Sequence, residues 1–127
     1  MSQEKPIEEW IKEWFPVEFD HVFISYLPDC DKEGTSIAID AWEEKLLGLQ
    51  GRLFRGATSY AARGSYRRED GDVIIEGTKL VTSFVMETEL TAEALETVTD
   101  SLKEFGRETN QENVAFVLDG RMHWIPI

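Results

Sequence analysis

The sequence predicts an α+β domain in which two helices cover one face of an antiparallel sheet. Helix-type and strand-type patterns alternate along the chain, and a tight-turn signal at Asp70-Gly71 joins two long strand-like segments. After a short first helix the order is β-α-β-β-α-β, the split pattern of the ferredoxin-like fold, with a four-stranded sheet. The 127 residues fit a single domain, predicted as 1–127, with a helix at 6–15 and an α+β core at 19–127.

The first helix is predicted to be amphipathic. Its apolar side chains recur at i, i+3, i+4, i+7 and i+8, and they are Ile7, Trp10, Ile11, Trp14 and Phe15. Pro6 lies near the start of the helix and Pro16 ends it. Two tryptophans on one helix require a dry contact, either with the helix's own domain or with another chain. We predict that these five residues form an interface, with packing on the same domain as the alternative.

The remaining elements follow from periodicity and from turn signals. The helix after the first strand should be capped by Thr35 or Ser36 and should end at Gly48 and Gly51, and Thr91 should cap the last helix. The inward stripe of that last helix is predicted as Leu95, Val98, Leu102 and Phe105. The predicted segments are strand 19–27, helix 37–49, strands 53–69 and 72–86, helix 92–109 and a last strand from 113 to the C-terminus.

The hairpin at Asp70-Gly71 predicts a polar cluster. If these two residues form the turn, the numbers of facing residues sum to 141, and Ser65 faces Glu76. Arg63 and Arg67 then flank Glu76 on the face away from the later helices, as an ion-pair network or as a pocket for a small anionic ligand. Two guanidinium groups should lower the pKa of Glu76. The predicted ligand-binding residues are Arg63, Ser65, Arg67, Glu76, Thr78 and Lys79.

The same hairpin resembles the core of a family of small uncharacterised bacterial proteins. That family carries a Gly-x-Trp-Arg strand, a Glu-x-x-Lys strand and a late Gln-Glu-x-Val motif. The matching residues here are 64–67, 76–79 and 111–114, with Tyr66 where the family pattern has tryptophan. The resemblance implies a compact α+β domain, and it implies no activity.

Metal, thiol and nucleotide chemistry have little support in the sequence. Residues 29–40 place Asp29, Asp31, Glu33 and Asp40 at the spacing of a calcium loop, but two of these residue types depart from that pattern and a strand leads into the loop. Cys30, the single cysteine, lies between two aspartates that disfavour its thiolate, and the spacing of His21 and His123 in the sequence predicts no metal-type cluster at either residue. The motifs GxxxxGK[ST], GxGxxG, CxxC and HExxH do not occur, so we predict no cofactor and no catalytic residue.

Charge restricts the partners. Lys and Arg number 13 against 25 Asp and Glu, and the net charge of −12 opposes direct binding to nucleic acid or to anionic membrane. With no apolar span, no signal-peptide pattern and one cysteine, the sequence predicts a cytoplasmic protein. The main prediction is a non-catalytic binding or regulatory module that forms a homodimer and acts through the sheet face and the first helix. The alternatives are a small enzyme or sensor for an anionic metabolite, using Arg63, Arg67 and Glu76, and an acidic DNA mimic that inhibits a nucleic-acid-binding protein.

Overall fold

The computed structural model describes residues 4–127, which form an α+β fold around a five-stranded antiparallel sheet. The strand order is β2-β3-β1-β4-β5. The α+β class is therefore confirmed, and residues 1–3 of the predicted domain lie outside the described residues. The elements are α1 (Ile7–Trp14), β1 (His21–Pro28), α2 (Asp40–Phe54), β2 (Thr58–Arg67), β3 (Val73–Val85), a 3-10 turn (Glu87–Glu89), α3 (Ala92–Glu108), β4 (Asn113–Leu118) and β5 (Arg121–Pro126).

The fifth strand was not predicted. The C-terminal segment forms a hairpin, in which Leu118 of β4 pairs with Arg121 of β5 across the turn Asp119-Gly120. Both turn residues are in the left-handed region, with φ of 51° and 80°. An Asp-Gly pair suits this type of tight turn, because both of its residues tolerate positive φ. The prediction of one last strand was wrong because this second Asp-Gly signal was not used.

Helix α2 begins later and ends later than predicted. It starts at Asp40, and neither Thr35 nor Ser36 caps it; its N-cap residue is Ile39, which makes no side-chain cap bond. It continues through Gly48 and Gly51 to Phe54, and Arg55 with φ of 75° follows it. Leu46, Gln50 and Phe54 are its buried residues, so packing on the sheet stabilises a helix in which two glycines disfavour the helical state.

Helix α3 follows the prediction closely. The hydroxyl of Thr91 accepts a hydrogen bond of 3.1 Å from the Ala94 amide, which confirms the predicted cap. Val98, Leu102 and Phe105 are fully buried, and Leu95 packs against the core while partly exposed. The amphipathic periodicity was sufficient here because this helix lies on the sheet along one face.

The two faces of the sheet have different environments. On the helix side, β1 contributes Phe23, Ser25 and Leu27, and the neighbouring β3 contributes Val81, Ser83 and Val85; all six are buried. Because side chains alternate along a strand, the residues between them point to the other face. Among residues 4–127, neither α2 nor α3 covers this second face of the sheet, and we call it the open face.

Helix α1 does not bury its apolar side. None of its residues is buried, and Ile7, Trp14 and Phe15 remain 66%, 63% and 63% exposed. In residues 4–127 this helix therefore does not pack its apolar side into its own domain. The interface that we predict for it stays a prediction. Among the described residues, no helix combines the length and apolar character needed to cross a bilayer.

Candidate functional site in the open face

The β2–β3 hairpin has a different register from the predicted one. Gly64 pairs with Glu76 and Tyr66 with Ile74, so facing numbers sum to 140 rather than 141. The amide of Arg68 donates to the Asp72 carbonyl at 2.8 Å, which leaves a three-residue loop in which Gly71 has φ of 93°. A three-residue loop with glycine in the left-handed position is a stable alternative to the two-residue turn. The one-residue change moves every β2 side chain to the other face.

The predicted Arg-Glu-Arg cluster is consequently wrong. Arg63 and Arg67 pair with Gly77 and Val73, so their side chains lie on the face opposite to Glu76. Ser65 and Lys79 share that helix-side face, and the Lys79 ammonium lies 3.8 Å from the Glu43 carboxylate of α2. Of the predicted ligand-binding residues, Glu76 and Thr78 have side chains on the open face, and Ser65 lies at the edge of the same cavity although its side chain is on the helix-side face.

The open face contains a cavity of about 190 Å³, and most of its accessible wall is apolar. All five strands contribute residues to its lining, together with the segments around Asp31 and Gln111. Tyr26 and Thr78 lie on the central strands, and Ala115 and Trp124 come from the C-terminal hairpin that was not predicted. Its remaining lining residues are Pro28, Asp31, Lys32, Gly64, Ser65, Tyr66, Ile74, Glu76, Gln111, Glu112, Asn113, Val114 and Met122.

An aromatic wall of the cavity is formed where the two edge strands, β2 and β5, bring their side chains into contact. The rings of Tyr66 and Trp124 meet edge to face, with centroids 5.6 Å apart. The side-chain amide of Asn113 donates to the Tyr66 hydroxyl at 3.0 Å. Burial, followed by a hydrogen bond with Glu112, raises the pKa of Tyr66. Sequence reasoning assigned no role in a site to Tyr66, Asn113 or Trp124, because these residues meet only through the correct hairpin register and the fifth strand.

Glu76 is the titratable group with the most unusual environment in the cavity. Partial burial raises its pKa to about 7, and the negative charge of Asp29 contributes in the same direction. No salt bridge joins Glu76 to a basic side chain among residues 4–127. The predicted lowering of its pKa was wrong because the two arginines lie on the other face. Thr78, two residues along the same strand, has a buried hydroxyl with no hydrogen-bond partner among the described residues.

The titration of Glu76 predicts a pH-dependent stability. Its folded pKa of about 7 exceeds the ordinary value of 4.5, so the folded state binds this proton more tightly. The resulting stabilisation is full below pH 4.5 and is lost as the pH rises through 7. We expect Glu76→Gln to be more stable than wild type by about 1–2 kcal/mol at pH 8, after allowance for solvent screening. At pH 5 the difference should largely disappear.

Urea unfolding at the two pH values measures this effect. Glu44→Gln, which removes an exposed carboxylate on α2, is the matched control for the loss of one negative charge. An equal stability difference between Glu76→Gln and wild type at pH 5 and pH 8 would contradict the assignment.

The carboxylates of Asp31 and Glu33 in the predicted calcium loop accept hydrogen bonds from the protein itself. The Asp31 carboxylate accepts hydrogen bonds from the amides of Glu33 and Thr35, both at 2.9 Å, so it shapes the loop itself. Glu33 accepts a hydrogen bond from Asn110, and Asp40 is the first residue of α2. Among residues 4–127, these carboxylates with Asp29 do not form a group compact enough for one ion.

Cys30 belongs to the same loop. Burial first and then the hydrogen bond and charge of Asp29 raise the pKa of the thiol. The expectation that its thiolate is disfavoured therefore agrees with the structure, although burial is a larger cause than like charge.

Comparison with known proteins finds a likeness in fold. No family model matches the chain, and no curated protein matches it. A phage S-adenosylmethionine lyase in complex with S-methyl-5′-thioadenosine is similar in structure, with a TM-score of 0.64 and 16% identity over 84% of this chain and 89% of that chain. The same type of enzyme without ligand gives a TM-score of 0.59 and 18% identity over the same shares. At these identities the likeness establishes a shared fold.

These likenesses correct the main functional prediction. We expected a non-catalytic binding or regulatory module, and both similar structures are of an enzyme. The alternative expectation was a small enzyme or sensor that binds an anionic metabolite. The residues assigned to that alternative change as well, because Arg63 and Arg67 do not share a face with Glu76.

Proposed function

We propose that this protein is a small enzyme that binds and cleaves a sulfonium metabolite of the S-adenosylmethionine type in the open-face cavity. The observation that carries the proposal is the partly buried Glu76 carboxyl, with a pKa of about 7, in an aromatic-walled cavity. The shared fold with a phage S-adenosylmethionine lyase supports it. We further interpret the fold as ferredoxin-like with an added strand, on the basis of the order β2-β3-β1-β4.

The charge of the cavity fits a cation better than the anionic ligand first expected. Glu76, Asp31 and Glu112 line it, and Lys32 is the one basic residue among its lining side chains. A positively charged ligand would relieve the repulsion between Glu76 and Asp29, and it would hold Glu76 in its ionised form. The binding free energy of a cation is therefore linked to the ionisation of a group that is half protonated near neutral pH.

The aromatic wall fits the other part of such a ligand. The exposed ring of Trp124 offers a face on which a purine ring can stack, and aromatic faces also attract sulfonium and ammonium groups. The Asn113 amide carries both a donor and an acceptor for the edge of a base. A ligand that carries both a purine ring and a positive charge matches the aromatic wall and the acidic residues of the cavity together.

The proposed cleavage breaks one carbon–sulfur bond of the sulfonium. The bond between the sulfonium sulfur and the γ-carbon of the amino-acid chain breaks, and its electron pair stays on sulfur, giving neutral S-methyl-5′-thioadenosine. In the same step the γ-carbon either bonds to the substrate's own carboxylate, which displaces the sulfur and gives a lactone, or forms a double bond as a β-proton leaves. Glu76 is the base in the second route, and in the first it holds the cationic substrate in place.

The test is an incubation of the purified full chain with S-adenosylmethionine. We expect time-dependent release of S-methyl-5′-thioadenosine above the uncatalysed rate, and mass spectrometry of the four-carbon product distinguishes the two routes. Isothermal titration with S-adenosylmethionine and with the uncharged thioether S-adenosylhomocysteine should show tighter binding of the sulfonium. The proposal would be overturned if the chain showed no turnover of S-adenosylmethionine and no preference for the cation.

Homodimer formation through α1 is part of the proposal. The exposed apolar residues of α1 and its C-cap are Ile7, Ile11, Trp14 and Phe15, and buried aromatic side chains contribute strongly to interfaces. We expect wild type to have twice the mass of the 14.6 kDa chain in light scattering, and Trp14→Ala to shift it toward monomer. Lys12→Ala, on the polar side of α1, is the matched control. A monomeric wild type would contradict this prediction.

A further inference from the structure

A second group of polar side chains lies at the end of the sheet where β1 begins, and the open-face cavity does not include it. His21 begins β1, Asp20 precedes it, and Glu87 follows the end of β3, whose Val85 pairs with His21. One ligand atom from each of Asp20, His21 and Glu87 lies within 4.8 Å of the others. The backbone pairing of two central strands therefore brings an imidazole and two carboxylates together.

Asp119 fixes the orientation of the imidazole. Its Oδ2 accepts a hydrogen bond of 2.7 Å from His21 Nδ1, and its Oδ1 accepts one of 2.9 Å from the Val22 amide. The amide of Asp119 in turn donates to the Val22 carbonyl, so the β4–β5 turn is attached to β1. With Nδ1 as the donor to Asp119, Nε2 is directed to the Glu87 carboxylate.

This arrangement is the one by which proteins prepare a histidine to bind a metal. A metal-binding imidazole usually donates its second N–H to a carboxylate, which fixes the tautomer and raises the basicity of the ligand nitrogen. We propose that Asp20, His21 and Glu87 bind a divalent transition-metal ion, with Asp119 as the positioning residue. Three carboxylates around one imidazole leave net negative charge there, which favours a divalent cation.

The geometry requires only small side-chain movements. Zinc binds imidazole nitrogen and carboxylate oxygen at about 2.0–2.2 Å, so ligand atoms around one ion are about 3–4 Å apart. Glu87 and Asp20 are exposed and can rotate, while His21 is held. Three protein ligands leave at least one position for water or for a ligand of the ion.

Zinc titration of the full chain tests this proposal, in a Cys30→Ser background to remove the thiol as a competing ligand. We expect saturable binding of one Zn²⁺, with affinity about 100-fold weaker in His21→Gln and about 10–100-fold weaker in Asp119→Asn. His123→Gln removes the other histidine and should bind zinc as the parent does. Circular dichroism of each variant confirms that it is folded.

A second readout locates the ion. Mn²⁺ should broaden the NMR signals of the Val22 and Val85 amides before those of the open-face cavity. Undetectable zinc binding would overturn the proposal, as would equal affinity in the parent and in His21→Gln, or broadening centred on Glu76. The proposal is independent of the enzymatic function, because its test uses the metal alone.

Discussion

Glu76→Gln is expected to lower kcat/KM for S-adenosylmethionine by about 10²-fold or more, while the folded protein becomes more stable at pH 8. Glutamine keeps the size of the side chain and removes its negative charge, so the cation loses its partner and a reacting proton loses its base. In wild type, kcat/KM should rise with pH through about 7, because the ionised carboxylate is the competent form. The combination of lost activity with gained stability separates a role in the site from a role in folding.

The pH–rate profile and the variant together decide this prediction. Glu44→Gln, on the exposed side of α2, should retain the kcat/KM of wild type. If Glu76→Gln keeps within a few-fold of wild-type turnover, or if the profile shows no rise near pH 7, the carboxylate is not the group that acts on the substrate.

Gln50→Leu is expected to destabilise the protein by about 2–4 kcal/mol, the largest effect we anticipate from a change that preserves side-chain volume. Gln50 lies fully buried between α2 and the sheet, where its Nε2 donates to the Ser83 hydroxyl at 3.0 Å and to the Val81 carbonyl at 3.1 Å. Its Oε1 accepts a hydrogen bond from the Ser25 hydroxyl. Leucine would leave the two serine hydroxyls without partners in the core.

Urea denaturation measures this cost, and a triple variant controls for packing. Ser25→Ala and Ser83→Ala combined with Gln50→Leu remove all three polar side chains, so much of the lost stability should return. Surface substitutions usually change the free energy of unfolding by less than about 0.5 kcal/mol. If Gln50→Leu alone changes it by no more than that, the network contributes little.

Local patterns predicted the helices better than the sheet. The stripe of α3 and its Thr91 cap could be read from periodicity, because neighbours on a helix face are determined by sequence spacing alone. Gln50 could not be assigned in this way, since its partners Ser25 and Ser83 come from two strands far away in sequence. The stability of α2 beyond Gly51 likewise depends on what its Phe54 contacts.

In the candidate site, too, the sequence placed some residues correctly and others on the wrong face. The sequence singled out Glu76 and Thr78, and both lie on the open face as expected. It placed Arg63 and Arg67 beside them, because a turn of two residues was assumed where three form the loop. A strand alternates with a period of two, so one residue of register exchanges the faces entirely.

By itself the sequence determined the α+β class, the apolar stripe of α3, the amphipathic character of α1 and the acidic charge of the chain, since each depends on residues close together along the chain or on composition. The tertiary structure alone decided that Tyr66, Asn113 and Trp124 meet near Glu76, and that the pKa of Glu76 is raised rather than lowered. The physical reason is that burial and through-space charge depend on strand register and on the fifth strand, which local patterns specify only weakly.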